Sequence, residues 1–329
     1  MYKPSAGFFC NAKKDALQSC RFARNVVQFY KYTIIYWEKG GRRVKIRDIQ
    51  PIQKGYSGDK KYCATAKDGT KYLLRVSPIL QYAQKRTEFK WMHRVADLQI
   101  PMCLPIKFGV CRKGVYSLQS WIDGDDLEDI LPDLSDAEQY SYGLEAGRIL
   151  NKIHTIPAPK TQEPWDSRFN RKMDRKIKMY SECPLKYENG DLFIQYIKEN
   201  RALIKNRPQT YQHGDYHVGN MMVDRTGTLQ IIDFNRHDFG DPWEEFNRIV
   251  WAAQASPRLA KGMVDGYFDS RVPQEFWRLL ALYISSNTLS SLPWGIPFGE
   301  TQIEIFKQQA RDILAWYDNM QNVIPSWYR

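Results

Sequence analysis

The stretch His213-Gly214-Asp215-Tyr216-His217-Val218-Gly219-Asn220 concentrates polar, chemically capable side chains. It runs into Met221-Met222-Val223-Asp224, a turn at Arg225-Thr226-Gly227, and then Leu229-Gln230-Ile231-Ile232-Asp233-Phe234. Asp215 and Asn220 stand five positions apart on one polar loop. A hairpin over 221–232 folds the chain back and delivers Asp233 beside that loop. Two carboxylates and one amide oxygen then converge, with His217 and Arg225 the only basic side chains between Asp215 and Asp233. Hard oxygen donors of this kind suit Mg²⁺, which proteins hold through few groups of their own plus nucleotide phosphates. Phosphoryl transfer needs such a set. One carboxylate must orient or deprotonate an acceptor hydroxyl, and an Asn with a second Asp must hold metal against the γ-phosphate.

The elements that position these residues follow from hydrophobic period and turn chemistry. Strands are expected over Ile46–Ile52, Lys61–Lys67 and Thr70–Val76. The turn Gly55-Tyr56-Ser57-Gly58-Asp59 joins the first two, and Asp68-Gly69 is a two-residue hairpin signal. Ser77-Pro78 opens a helix to Ala96, and strands follow near Ile106–Gly109 and Val115–Trp121. Beyond Trp121 the pattern turns helical. Ser135-Asp136-Ala137-Glu138 is a capping box for a helix reaching His154. Further helices are expected near 169–180, 191–204, 242–268, 273–291 and 300–320, with one short hairpin among them. The fold class is therefore α+β: a small antiparallel sheet lobe with one helix, then a larger helical lobe, joined near 119–124. The expected division is a basic, poorly ordered extension over 1–43, a sheet lobe over 44–121 and a helical lobe over 122–329.

Composition removes several alternatives. The chain has 329 residues, 43% hydrophobic and 14% aromatic, enough for a large core. No apolar run reaches the ~20 residues of a membrane helix. Residues 1–47 carry eleven basic and two acidic side chains, so they hold +9 of the net +11 and leave +2 for the rest. A nearly neutral body argues against a nucleic-acid-binding enzyme and leaves at most a basic arm for such a role. The six cysteines form no Cys-x-x-Cys pair, which fits reduced thiols in the cytoplasm. No His-Glu-x-x-His occurs, so a zinc hydrolase has no support.

The segment 213–233, with His-Gly-Asp-x-x-x-x-Asn and Ile-Asp-Phe, resembles the aminoglycoside phosphotransferase and choline kinase superfamily, whose fold is protein-kinase-like. Gly214 stands where protein kinases carry Arg, which favours the small-molecule branch. Asn235 follows Asp233-Phe234 where a switchable protein-kinase loop has Gly. The resemblance extends over about residues 46–320. It implies that Asp215 is the catalytic base, that Asn220 and Asp233 are the metal ligands, and that His213 supports the loop. It also implies that Ser57 and Gly58 cover the phosphates. Arg75 takes the place of the usual strand lysine, and Glu88 is its expected helix partner. Ser120 and Ile122 lie in the hinge that binds the adenine edge through backbone groups. In Gly240-Asp241-Pro242, Asp241 is expected to cap the next helix, and Glu245 stands where many relatives have Asp.

The implied co-substrate is ATP or GTP with Mg²⁺, and the implied acceptor is a small-molecule alcohol. Aminoglycoside antibiotics, related sugars and amino alcohols are the leading candidates, which would make the protein a resistance enzyme. Eight acids over 123–138 and two more acids than bases over 234–329 are modest support for a cationic acceptor. A solvated loop and helix start account better for the first. Aromatics such as Trp251 and Trp294 belong mostly to the core, with a few able to stack on a sugar or quaternary ammonium. The alternative is a non-catalytic nucleotide-binding protein on the same fold.

Overall fold

The structure is a computed structural model that describes residues 36–39, 42–53 and 58–329. The chain divides into two compact units, one ending at Asp123 and one running from Gly124 to Arg329.

The first unit is an antiparallel sheet with one long helix. Its strands are β1 (Tyr36–Lys39), β2 (Arg42–Ile52), β3 (Lys60–Ala66), β4 (Lys71–Ser77), β5 (Pro105–Cys111) and β6 (Gly114–Ser120). Their spatial order is β1-β2-β3-β4-β6-β5. The side-chain period of two puts Tyr72, Leu74 and Val76 on one face, where they pack with Ile46, Ala64, Ala66, Tyr116 and Leu118. At the Asp68-Gly69 turn, the Asp68 carboxylate accepts from Thr70 N (3.0 Å) and Gly69 adopts φ +86°. Helix α1 (Tyr82–Ala96) buries Glu88, Met92 and Val95. The sheet begins at Tyr36, inside the segment expected to be an extension up to residue 43, because β1 pairs with the start of β2. The sequence marks that point with Gly40-Gly41, a hairpin signal hidden by the mixed periodicity around it. Residues 1–35 lie outside the described residues.

The second unit carries α2 (Leu127–Ile130), α3 (Asp136–Ile153), α4 (Trp165–Glu182), α5 (Asp191–Asn200), α6 (Ile249–Ala255), α7 (Pro257–Phe268), α8 (Gln274–Gly295) and α9 (Glu300–Trp316). The capping box forms as expected. Ser135 accepts from Glu138 N, and the Glu138 carboxylate accepts from Ser135 N. Helices α3 and α7 pack backbone to backbone. A Cβ on Gly147 would stand 2.2 Å from Met263 O, and one on Gly266 would stand 2.1 Å from Leu144 O. Helix α8 buries most of its length on all sides, including Leu279, Leu280, Ala281, Leu282, Tyr283 and Ile284. The continuous helix expected over 242–268 is three pieces: a 3₁₀ turn over Pro242–Arg248, then α6, then α7. Ser256 causes the last break. It is extended, its hydroxyl accepts from Leu259 N, and Pro257 occupies the first helical position.

No helix among the described residues is long and apolar enough to cross a membrane. The described cysteines Cys63, Cys103, Cys111 and Cys183 are free thiols.

Candidate active site

Short strands set the geometry of the loop 213–220. They are β8 (Thr210–Gln212), β9 (Met221–Asp224), β10 (Leu229–Ile231) and β11 (Asp238–Gly240). Strands β9 and β10 form the expected hairpin, with Leu229 opposite Val223 and Ile231 opposite Met221. β7 (Gly124–Asp126) adds a third strand along β9. β11 returns antiparallel to β8, placing Asp238 opposite Gln212. That pairing, which the sequence reading did not contain, brings residues 232–237 back alongside 213–217. The backbone bond from Ile232 N to Asn220 O (3.1 Å) fixes the approach of Asp233 to the loop.

The loop is held by buried groups. His213 is fully buried. Its Nε2 donates to Ile232 O (2.9 Å), and its Nδ1 accepts from Asp215 N (3.3 Å). That arrangement fixes the neutral tautomer, and burial pushes the imidazole pKa down. Gly214 adopts φ +84°, and a Cβ there would lie 2.0 Å from Arg236 O, so neither Arg nor Ala fits this position. Tyr216 OH anchors the loop to α3 through Ala146 O (2.7 Å). Glu245 is 2% exposed and accepts from both His213 N and Gly214 N at 2.7 Å. His154 Nε2 lies 3.4 Å from the same carboxylate. Sequence reasoning noticed Glu245 only as a replacement and missed this clamp. The available signal was the acid pair Glu244-Glu245 set between Trp243 and Phe246, directly after Asp241-Pro242.

Asp215 sits among cations. Arg236 Nη1 is 3.5 Å from Oδ2, Arg248 Nη2 is 3.5 Å from Oδ1, and His217 Nε2 is 3.7 Å from Oδ1. Burial opposes ionisation, but His217 and the two guanidiniums outweigh it and hold the carboxyl well below its ordinary range. Nδ1 of His217 accepts from Gly219 N (3.1 Å), leaving Nε2 to carry the proton toward Asp215. The carboxylate is thus ionised at neutral pH and is ready to accept a hydrogen bond from an alcohol. His217, Arg236 and Arg248 were not among the expected site residues.

Asn220 closes a 3₁₀ turn over Val218–Asn220 and donates through Nδ2 to Asp215 O (2.9 Å). With its nitrogen committed inward, its amide oxygen is the group available to a cation. Asp233 is held at φ +69°, a conformation an L-residue adopts at a cost of about 1–3 kcal/mol, and one that recurs at functional sites. Among the described residues no three His, Cys, Asp or Glu side chains form a metal cage of their own. One amide and one carboxylate oxygen nevertheless match what Mg²⁺ takes from a protein when phosphates supply further oxygens.

Asp241 has the expected capping role, accepting from Trp243 N (3.0 Å) ahead of Pro242. It is fully buried and also accepts two bonds from Arg207 (2.7 and 3.1 Å) and one from Tyr283 OH (2.6 Å). Those partners make it a structural anchor.

In the first unit, Gly58 has open space where a Cβ would stand, and Ser57 lies outside the described residues. Arg75 is buried, and the expected pair with Glu88 is replaced by a different arrangement. Arg75 Nη2 meets Asp59 Oδ2 at 3.2 Å, whereas Glu88 is bonded by Lys85 (3.0 Å) and Gln84 (2.8 Å). Lys85 also reaches Asp59 (3.1 Å), and Ser77 Oγ donates to it (2.7 Å). Burial works against the charge on Asp59, but Ser77, Arg75 and Lys85 prevail and lower its pKa. The physical reason for the changed pairing is proximity. Lys85 lies one helical turn before Glu88, and Asp59 is nearer to Arg75 across β3 and β4. Ser120 is used internally, its N–H donating to Leu104 O (2.9 Å) and its Oγ accepting from Leu104 N (2.7 Å). The Ser120 N–H and one lone pair of its Oγ are thus used within the unit. Ile122 is partly exposed at the end of the unit.

Comparison with known proteins bears on the fold and the family. The model of the phosphotransferase enzyme family matches residues 48–278. No curated protein sequence matches the chain. Among solved structures, a thermostable mutant of aminoglycoside phosphotransferase APH(4)-Ia superposes with TM-score 0.59 at 16% identity, over 82% of this chain and 94% of that one. The GDP complex of an aminoglycoside 2′-phosphotransferase-IIIa mutant gives 0.63 at 14%, over 84% and 94%. A putative fructosamine-3-kinase from Haemophilus somnus 129PT gives 0.60 at 12%, over 83% and 93%. At these identities the likeness establishes a shared kinase-like α+β fold. The family match over most of the chain goes further: the protein belongs to the phosphotransferase enzyme family and is a phosphotransferase acting on hydroxyl groups of small molecules.

Proposed function

We propose that the protein transfers the γ-phosphate of a Mg²⁺-bound nucleoside triphosphate to a hydroxyl of a small molecule, with Asp215 as the catalytic carboxylate. The observation that carries this reading is the loop and hairpin that bring Asp215, Asn220 and Asp233 together, with Asp215 held ionised. Asp215 orients the acceptor oxygen toward the phosphorus and takes its proton as the bond forms. A base of such low basicity suits a loose transition state, in which the proton moves late. Asn220 and Asp233 would hold the cation, which neutralises phosphate charge when bound. Arg75, with Lys85 nearby, supplies positive charge toward the α- and β-phosphates, and Gly58 leaves room for a phosphate to approach the backbone. The related structures bound to GDP and ADP support a purine nucleotide without choosing between ATP and GTP.

The neighbours' names favour an aminoglycoside, and one neighbour complex holds hygromycin B. The cations around Asp215 weigh against a polycationic acceptor. The test is acceptor-dependent NDP release with Mg-ATP and Mg-GTP. Asp215→Asn should lower kcat by about 10²–10⁴-fold with the melting temperature kept. Chelation of divalent cations should abolish release by the wild-type enzyme. Unchanged turnover in the variant would remove Asp215 from its role.

A further inference from the structure

The surroundings of Asp215 say something about what comes to it. Arg236 and Arg248 each stand 3.5 Å from one of its oxygens, beyond hydrogen-bonding distance. Among the described residues, neither guanidinium donates a hydrogen bond to any protein group, so both retain their full set of donors. Arg236 is half exposed, with its side chain at 50%, and Arg248 is partly exposed at 24%. Arg248 lies over the Trp251 ring (5.1 Å), which also packs on His217 (5.6 Å), so its direction is constrained. Behind it, Lys172 is bonded to Glu244 (3.0 Å) and Lys176 is buried. Two of the carboxylates beside Arg248 are already committed. Glu244 takes Lys172 and Gln212, and Glu245 takes the loop N–H groups. Asp233 is assigned to the cation and Glu128 Oε2 stands beside Gly219, so the groups left to meet an acid at Asp215 are the two guanidiniums, whose hydrogen-bond donors are unspent.

We infer that the acceptor is an anionic alcohol, whose carboxylate or phosphate group is held by Arg236 and Arg248 while its hydroxyl rests on Asp215. This inference rests on the phosphoryl-transfer reading. Guanidinium forks match the two oxygens of an acid group, and an ammonium-rich acceptor would meet like charge. In the reaction the acceptor oxygen forms a bond to the γ-phosphorus and the β–γ bridging P–O bond breaks. The electron pair leaves on the nucleoside diphosphate, and the acceptor proton passes to Asp215 and on to solvent. The acid group takes no part in bond making. It fixes which hydroxyl faces Asp215.

The experiment is NDP release by the full chain with Mg-ATP and Mg-GTP against four acceptor classes. These are hydroxy acids (glycerate, gluconate), sugar phosphates (glycerol 3-phosphate, glucose 6-phosphate), neutral sugars (glucose, ribose) and a polycation (kanamycin). Release with either anionic class and little with the others is the expected result, and the productive arm identifies the acid group as carboxylate or phosphate. Arg236→Gln and Arg248→Gln should each raise the KM of that acceptor by about tenfold or more, with the nucleotide KM unchanged. Arg236→Lys should restore part of the loss. Release with kanamycin or neutral sugars alone overturns the anionic acceptor and leaves the transferase reading intact. A rise in nucleotide KM instead of acceptor KM also overturns it, because the guanidiniums would then serve the triphosphate. Release with none of the four classes overturns the anionic acceptor, and failure to bind Mg-ADP or Mg-GDP in a direct titration separately overturns the phosphoryl-transfer reading.

Discussion

Lys176 shows how an individual group near the site links structure to pH. It lies on α4 and faces Lys172, Glu244, Arg248 and Arg175. Burial removes hydration from its ammonium, Lys172 adds repulsion, and Glu244 recovers only part of the loss, so its pKa falls to about 7. An unfolded chain would titrate this lysine near its ordinary value of about 10.4. Between those values the unfolded state binds the extra proton, so stability rises with pH across that window. Below about 7 both states are charged and the full cost of burial stands. Lys176→Met should therefore raise the melting temperature at neutral pH and flatten its rise between pH 7 and 10. Thermal melts of the two proteins across that range would show it, and parallel curves would refute the assignment. Little of this was visible in the sequence. His213, Asp215, Asn220 and Asp233 stood out by type and spacing, whereas Lys176, Glu245, Arg236 and Arg248 look like ordinary charged residues until the fold buries or gathers them.

At the scale of elements, the helix pair α3 and α7 behaves as a single unit. Gly143 and Gly147 on α3 face Gly262 and Gly266 on α7, four residues apart on each helix, and each approaches backbone of the other helix. Tyr216 OH binds Ala146 O on α3, so the loop 213–220 is seated on this pair. Gly147→Val would push a β-branched side chain against Met263 O and Tyr267 N, neither of which can withdraw without moving a helix. The cost should be about 3 kcal/mol, the upper end for overpacking, read as a lower midpoint in denaturant unfolding. Activity per folded molecule should fall as well, because the loop loses its seat. A midpoint within error of the wild type would count against the close packing. The strands, the capping box at Ser135 and most helices were legible from period and turn residues. The break at Ser256 and the pairing of β8 with β11 were not. A three-residue strand has too few positions to show alternation, and Ser256-Pro257, a helix-start signal like Ser77-Pro78, is hidden by the apolar helical period on both sides of it.

Across the whole molecule, the candidate residues fall into the two units. Arg75, with Asp59 and Lys85, belongs to the first, and Asp215, Asn220 and Asp233 belong to the second. Each group should therefore control a different kinetic constant. Arg75→Ala should raise the nucleotide KM by roughly ten- to a hundredfold, the loss of one or two charge-assisted hydrogen bonds, with the acceptor KM little changed. Asp215→Asn should lower kcat and leave nucleotide binding intact, which a direct titration with Mg-ADP would show. A variant pair with identical effects on both constants would contradict this division.

Sequence alone determined the α+β class and the family, because these depend on local period, turn residues and short spacings. The neighbours of a charge were decided only by the tertiary structure. Glu88 met Lys85 rather than Arg75, Asp59 took the buried arginine, Ser120 turned to Leu104, and two arginines came to rest beside Asp215. Such contacts span long stretches of chain or different faces of one element, and no local pattern encodes them. Local pattern thus identifies the reaction class. The acceptor depends on which side chains the folded chain places around the catalytic carboxylate.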